Sequence, residues 1–209
     1  MPDAEKLFAV PFESELLAPW RSHLSRALHR NRAVPFSRYL QLATLKQDKT
    51  PANRTVVFRG FLNETNHLIF ISDLRSEKTR QVQMQPDAEA CWYFTKTREQ
   101  FRLSGKLTLV TNEEDNSALS KARHQIWQNI SDNARIQFTW PHPKKQKEGT
   151  TEFEKAALDK EEPAAFFTLL LLTVDSVDHL ELRGDPQNRT LYQRNQSDLQ
   201  AWDMESVNP

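Results

Sequence analysis

The chain has 209 residues, with 28 basic and 28 acidic side chains and a formal net charge of +0. This length suits a single domain spanning 1–209 with a substantial buried core. Proteins that bind nucleic acid or an anionic membrane usually carry an excess of lysine and arginine. The balanced charge therefore argues against both classes of partner.

The glycines and the cysteine exclude several common sites. Gly60, Gly105, Gly149 and Gly184 are isolated from one another, so the chain has neither a G-x-G-x-x-G dinucleotide motif nor a P-loop. The single Cys91 excludes an internal disulfide and any C-x-x-C motif. The six histidines show no H-E-x-x-H spacing, so no metal site is predicted. Any phosphorylated cofactor must be held by side chains.

The start of the chain shows no basic segment followed by an apolar one, as a signal peptide would. No apolar run approaches the roughly 18 residues that a membrane span requires. These patterns predict a cytoplasmic protein without a membrane partner.

In the first half of the chain, helical spacing of apolar residues over 16–30 predicts an opening amphipathic helix. Strands are predicted over 36–45 and 54–62, and the second is expected to form an antiparallel hairpin with a strand over 67–72. A helix is then predicted from its N-cap Ser76 to Gln85, where Pro86 ends it.

In the middle of the chain, the residue pattern predicts strands over 88–95 and 100–110. Trp92 and Phe94 of the first strand are expected to fill the core. Thr111 and Glu114 have the spacing of a capping box, which predicts a helix immediately afterwards.

Residues 141–160 are polar and rich in lysine and glutamate, and they are predicted to form a loop of solvated charges with a short helix over 154–158. The most apolar run, 166–174, predicts a central strand, part of which is expected to contact a partner subunit. The remaining predicted strands cover 177–183, 189–194 and 202–207.

About seven strands joined by tight turns, with helices only at the start and in two insertions, are typical of a mainly β protein. The expected fold is an antiparallel β-barrel with peripheral helices. Periodicity alone leaves its strand order open.

Two short segments bring together groups that can bind phosphate. Arg54 and Arg59 bracket an apolar run, and Ser76 and Lys78 stand where a helix is predicted to begin. Guanidinium, ammonium and helix N-terminal groups are the usual ligands of phosphate. Because rigid elements carry all of them, the pattern is that of an anion site. Arg54 and Arg59 are five positions apart, however, and would point to opposite faces of a regular strand, so separate surface ion pairs remain an alternative at this point.

Three segments in this order resemble the FMN-binding core of the pyridoxamine 5'-phosphate oxidase family: RTVVFRGF at 54–61, ISDLRSEK at 71–78 and EQFRLSG at 99–105. A weaker similarity covers 180–194. The chain looks closer to the related FMN-binding proteins of this family than to the biosynthetic enzyme. The resemblance implies an FMN-binding split β-barrel that forms a homodimer, with FMN in the clefts between its subunits.

The resemblance also implies roles for individual residues. Arg54 and Lys78 match ligands of the FMN phosphate, Ser76 lies beside them, and Arg59 matches a position that faces flavin and substrate. The other positions matched to flavin contacts are Thr55, Val56, Val57, Ile71, Ser72, Gln100 and Arg189.

The chain departs from the family pattern at two places. Glu77 stands where the family has an arginine beside the phosphate, and Arg75 is the expected substitute. Asp185-Pro186-Gln187 replaces the Arg-x-His motif with which the biosynthetic enzyme holds its substrate. FMN binding is therefore better supported than oxidation of vitamin B6 phosphates.

Four functions remain open from the sequence. The first is an FMN-dependent oxidoreductase in which flavin N5 accepts a hydride from an unidentified small donor, with no catalytic residue assigned. The second is a non-catalytic FMN-binding, electron-transfer or sensor protein. The third is a split barrel that binds deazaflavin or haem. The fourth, a barrel that binds single-stranded nucleic acid, is disfavoured by the zero net charge.

Overall fold

The computed structural model describes residues 16–147, 149 and 158–209, and within them the protein is mainly β. The helices are α1 (Pro19–Arg30), α2 (Glu77–Met84), α3 (Ser117–Asn129) and α4 (Asp132–Arg135), followed by a 3-10 helix at Ile136–Thr139. The strands are β1 (Tyr39–Leu45), β2 (Pro51–Val57), β3 (Gly60–Phe61), β4 (Leu68–Asp73), β5 (Asp87–Phe94), β6 (Glu99–Val110), β7 (Phe167–Glu181), β8 (Asn188–Arg194) and β9 (Trp202–Val207).

One antiparallel sheet contains all nine strands, in the order β2-β1-β5-β6-β7-β4-β3, with β8 and β9 continuing from β7. The two ends of this order, β2 and β3, are separated in the chain only by Phe58 and Arg59. The sheet must therefore curl until its edges approach each other, which makes it a barrel. This confirms the predicted fold class.

The closure of the barrel is visible in the backbone hydrogen bonds of the two linking residues. Phe58 N donates to Arg38 O at 2.8 Å on the β1 side, and Arg59 N donates to Ile69 O at 2.9 Å on the β4 side. Gly60 follows with a φ of +142°, a conformation that side chains disfavour. The continuous strand predicted over 54–62 is therefore wrong, because the chain changes sheet edge in its middle.

Strand β7 is one strand of 15 residues, although two strands were predicted. Ser104 pairs with Ser176 and Gly105 with Val174, so Asp175 is an extra residue in a β-bulge. The polar pair Asp175-Ser176 interrupts the apolar pattern without ending the strand. Gly105 permits the bulge, since a Cβ there would lie 1.9 Å from the carbonyl oxygen of Thr173.

The barrel interior contains Trp92 and Phe94, both buried as predicted. A second apolar cluster lies on the other side of β7, under α3, and includes Trp127, Phe138 and Phe167. Residues 167–172 are buried inside the chain between these two clusters. The expectation that this run forms part of a partner interface is wrong for these residues, and only Phe166 is exposed.

Helix α3 begins later than the capping-box spacing predicted. Asn116 is its N-cap, and its Oδ1 accepts hydrogen bonds from the backbone of Ala118 and Leu119. Asn116 therefore has the capping role that was predicted for Thr111, five residues later in the chain. The short helix predicted over 154–158 falls on residues outside the described ones, apart from Leu158. None of the helices in the described ranges has the length and apolar character needed to cross a membrane.

Replacing Gly105 by alanine should strongly destabilise the fold, because the new methyl group would overlap the Thr173 backbone. We expect Gly105→Ala to lower the free energy of unfolding by about 3 kcal/mol or more, measured by urea denaturation. Ser104→Ala is the control, since it removes only a hydrogen bond to Glu89 worth about 1 kcal/mol. Equal unfolding midpoints for the two variants would contradict this account of the bulge.

Candidate functional site

A cavity of about 850 Å³ lies beside the point where the barrel edges meet. Its strand side consists mostly of predicted site residues, namely Thr55, Val56, Val57, Arg59, Ile71, Ser72, Ser76 and Lys78. Its opposite side is formed by residues between 131 and 147, which we call the 131–147 wall. The structure thus brings together groups from β2, β4, the start of α2 and an insertion after β6.

The start of α2 places three of these groups in contact. Lys78 Nζ lies 3.2 Å from Ser72 Oγ and 3.3 Å from Ser76 Oγ, and the two serine hydroxyls lie 3.1 Å apart. Ser76 is the N-cap residue, but among the described residues its side chain makes no capping hydrogen bond. The Ser76 hydroxyl instead points to the Lys78 ammonium group. This hydroxyl lies beside the cavity, where it can contact an anion.

Arg54 is fixed at the same end of the barrel by three hydrogen bonds. Its guanidinium donates to Thr44 Oγ1 at 2.6 Å, to Leu42 O at 3.1 Å and to Gln81 Oε1 at 3.0 Å. All three acceptors are uncharged, so the positive charge of Arg54 is oriented without being neutralised. Gln81 belongs to α2, and this bond ties the β2 arginine to the helix that carries Lys78.

The nearby carboxylates are paired with other cations. Asp73 accepts a bidentate contact from Arg75, and Glu77 pairs with Lys144 of the wall. Burial, and then the charge of Arg54, lower the pKa of Lys78, and burial lowers the pKa of Arg54. Two partly buried cations thus repel each other, and a bound phosphate would relieve that repulsion.

Arg59 lies in the two-residue link between β2 and β3. Its guanidinium is half buried, and its Nε has no hydrogen-bond partner among the described residues. Burial lowers its pKa, because charge is unfavourable away from water. A buried donor without an acceptor is costly, so a ligand that supplies an acceptor would stabilise this arrangement.

Four predicted site residues do not line this cavity: Arg54, which lies beside Lys78, and Arg75, Gln100 and Arg189. Arg75 is bound to Asp73, and its guanidinium lies 4.2 Å from the ring centroid of Phe166. Gln100 and Arg189 lie on either side of β7, in one row across the sheet, on the face opposite the barrel core. Arg189 forms an ion pair with Asp178.

The 131–147 wall was not predicted from the sequence. Ser131 caps α4, Phe138 anchors the 3-10 helix in the second apolar cluster, and Trp140 lines the cavity with its side chain 36% exposed. The lysines that follow were predicted to be solvated, yet Lys144 bridges to Glu77 at 2.5 Å. No periodic signal could reveal this, because the wall is short helices and turns.

A closed antiparallel barrel with a cationic cavity at its closure is the architecture of split-barrel cofactor-binding proteins. The family model "Pyridoxamine 5'-phosphate oxidase, FMN-binding domain" matches residues 17–111. The Arabidopsis thaliana protein named pyridoxine/pyridoxamine 5'-phosphate oxidase 2 is 31% identical over 194 residues, covering 92% of this chain and 98% of that protein. The chain therefore belongs to the pyridoxamine 5'-phosphate oxidase family, and its cofactor is FMN.

Two solved structures are similar over nearly the whole chain. A pyridoxamine 5'-phosphate oxidase-related, FMN-binding protein from Nostoc punctiforme is 53% identical, covers 93% of this chain and 100% of its own, and superposes with a TM-score of 0.88. PhzG from Burkholderia lata, solved with tetrahydrophenazine-1-carboxylic acid, is 18% identical over 94% of this chain and 99% of its own, with a TM-score of 0.74. The second similarity supports the fold alone.

Removing either oriented cation should weaken FMN binding. We expect Arg54→Ala and Lys78→Ala each to cost about 1.5 to 3 kcal/mol of binding free energy, the scale of a hydrogen bond to a charged group. Titration of the apoprotein with FMN, followed by flavin fluorescence, measures this. Arg98→Ala is the control, because Arg98 is exposed and lies outside the cavity. The same affinity in all three variants would exclude Arg54 and Lys78 as phosphate ligands.

Proposed function

We propose that this protein is an FMN-dependent oxidoreductase that oxidises a small organic donor. The observation that carries the proposal is the cavity itself, which Lys78 and the half-buried Arg59 line and beside which Arg54 lies. Within the described residues, none of these three cations forms an ion pair with a carboxylate. When bound, FMN supplies a hydride acceptor at its N5 atom, which explains why the chain needs no evident acid–base pair.

In this proposal, the residues in and beside the cavity have separate roles. Arg54, Lys78, Ser72 and Ser76 bind the phosphate by charge and hydrogen bonds. Thr55 to Val57 and Ile71 offer the strand surface against which a planar ring can lie. Because the 131–147 wall covers the opposite side, it limits access of water to the reacting atoms.

Arg59 has the electrostatic role in this proposal. Reduction adds negative charge to a flavin, and a nearby guanidinium with an unused donor stabilises that charge. The protein environment around Arg59 thereby favours the reduced cofactor. The residue binds and stabilises charge, and no proton transfer is assigned to it.

Replacing Arg59 with an uncharged residue should lower the reduction potential of the bound flavin. We expect Arg59→Met to lose about 1.5 to 3 kcal/mol of stabilisation of the reduced form. This corresponds to roughly 30 to 65 mV for a two-electron couple. Spectroelectrochemical titration gives the potential, with Arg59→Lys as the charge-conserving control. A potential in Arg59→Met equal to that of the wild type would remove Arg59 from this role.

The proposed donor is a compound other than the vitamin B6 phosphates. Asp185-Pro186-Gln187 stands in the turn between β7 and β8, where the resemblance places the substrate-binding Arg-x-His of the biosynthetic enzyme. A carboxylate at Asp185 repels an anionic donor instead of binding it. The name of the Arabidopsis thaliana relative makes pyridoxine and pyridoxamine phosphates the first donors to test.

We expect pyridoxamine and pyridoxine phosphates to be oxidised very slowly. Loss of charge-assisted bonds to the substrate should reduce the rate on the order of a thousandfold or more. Peroxide release from the FMN-loaded protein, measured with each compound, is the assay, and an active biosynthetic oxidase run in parallel is the control. Turnover at roughly 1 per second or faster would show that another group binds the donor phosphate.

The missing substrate motif also favours a second candidate function, a non-catalytic FMN-binding or electron-transfer protein. Reduction of the bound flavin by dithionite followed by rapid reoxidation, without turnover of any amine or alcohol donor, would support this candidate. A donor that reduces the flavin anaerobically at a catalytic rate would support the oxidoreductase.

We further propose that the site is completed by a second copy of the chain. Gln100 and Arg189 lie on the outer face of the sheet, away from the cavity of their own subunit. In a homodimer whose outer faces meet, these side chains could reach the cavity of the partner subunit. The cofactor would then be held by two chains.

Light scattering should therefore give twice the 24.4 kDa chain mass for the FMN-loaded protein. Gln100→Ala should weaken FMN binding although Gln100 does not line the cavity of its own chain. Gln193→Ala, which changes an exposed glutamine on β8, is the control. A species of single-chain mass that retains FMN would contradict the shared site.

A further inference from the structure

Glu77 presents an electrostatic problem for a phosphate site. It is the first residue of α2 and lies between Ser76 and Lys78, both of which line the cavity. A carboxylate in this position repels a phosphate by the same Coulomb interaction with which Lys78 attracts it. Unless its charge is balanced, Glu77 therefore weakens binding at the site.

The structure balances that charge from the other side of the cavity. Lys144 belongs to the 131–147 wall and lines the cavity, and its Nζ lies 2.5 Å from Glu77 Oε2. The pair joins residues 67 positions apart in the chain and connects the wall to the start of α2. Lys144 also lowers the pKa of Glu77, by donating a hydrogen bond to its carboxylate and by its positive charge.

The backbone of Lys144 supports a specific role for this contact. Its φ is +66°, a left-handed conformation that residues other than glycine seldom adopt. Such conformations persist where the surrounding structure determines them, and they are concentrated at ligand sites. Both side chains are substantially exposed, and an exposed ion pair adds little to the stability of a fold. Stability alone is therefore a weak reason for this arrangement.

We propose that Lys144 is a third cation of the FMN-phosphate site, and that Glu77 is a positioning residue that holds Lys144 across the cavity mouth. An ammonium group has three donors, so Lys144 can contact Glu77 and a phosphate oxygen together. The proposal rests on placement of the phosphate beside Arg54 and Lys78. In this proposal the 131–147 wall is part of the cofactor site, and the bound cofactor strengthens the contact between the wall and α2.

The proposal predicts that Glu77→Gln has opposite effects on FMN affinity in the presence and in the absence of Lys144. Simple repulsion between Glu77 and the phosphate predicts the same effect in both backgrounds. If Glu77 only repels the phosphate, Glu77→Gln strengthens FMN binding. If Glu77 positions Lys144, Glu77→Gln weakens FMN binding in the wild-type background, because Lys144 is released. In a Lys144→Ala background the same substitution then strengthens binding, since only the repulsion remains.

The experiment compares FMN with riboflavin, which lacks the phosphate. Dissociation constants for both are measured by fluorescence titration of the apoprotein of the wild type, Glu77→Gln, Lys144→Ala and the double variant. We expect Lys144→Ala to weaken FMN binding roughly 3- to 10-fold, the range of a partly exposed charge contact, and to leave riboflavin binding unchanged. Lys160→Ala is the matched control, since it removes an equally exposed lysine that pairs with Asp132.

The outcomes separate this proposal from those on which it rests. An unchanged ratio of FMN to riboflavin affinity in Lys144→Ala overturns it, as does tighter FMN binding in Glu77→Gln with Lys144 present. If Arg54→Ala and Lys78→Ala also leave that ratio unchanged, the phosphate lies elsewhere and both proposals fail. If Lys144→Ala leaves this ratio unchanged while Arg54→Ala and Lys78→Ala change it strongly, only the proposed role of Lys144 is overturned. Retention of circular dichroism and of riboflavin binding shows that each variant is folded.

Discussion

The whole structure depends on the change of sheet edge at Phe58 and Arg59. Successive backbone N–H groups donate to opposite edges of one sheet, to Arg38 and to Ile69, and this closes the barrel. The same two residues fix the position of the cavity, because β2 ends and β4 passes at this point. A regular strand through this segment would leave the barrel open and separate the cavity-lining residues of β2 from those of β4 and α2.

The charge distribution follows from that closure. Arg54 reaches α2 through Gln81, so cations from two distant segments lie side by side at one end of the cavity. Their mutual repulsion persists because Asp73 and Glu77, which could neutralise them, are paired with Arg75 and with the 131–147 wall. The site is thus prepared for an anion, at a cost that the bound phosphate offsets.

The closed barrel also separates the two sides of the cavity into different parts of the chain. The strand side of the cavity belongs to the barrel and contains the groups matched to FMN. The opposite side consists of an insertion between β6 and β7, and the turn with Asp185 lies outside the cavity of its own chain. Segments outside the sheet can change without affecting closure, so the function proposed above assigns cofactor binding and donor choice to different parts of the molecule.

The sequence by itself determined the fold class, the core aromatic residues and a set of predicted FMN contacts on β2, β4 and α2, most of which the structure brings to one cavity. These could be predicted because strand periodicity and local motifs depend on neighbouring residues. Only the tertiary structure decided where β2 ends, that β7 continues through a bulge, and that Lys144 lies against Glu77. These features depend on contacts between residues far apart in the chain. Local propensity carries no information about such contacts. For this reason the sequence could not predict the ion pair between Arg75 and Asp73 or the position of the 131–147 wall.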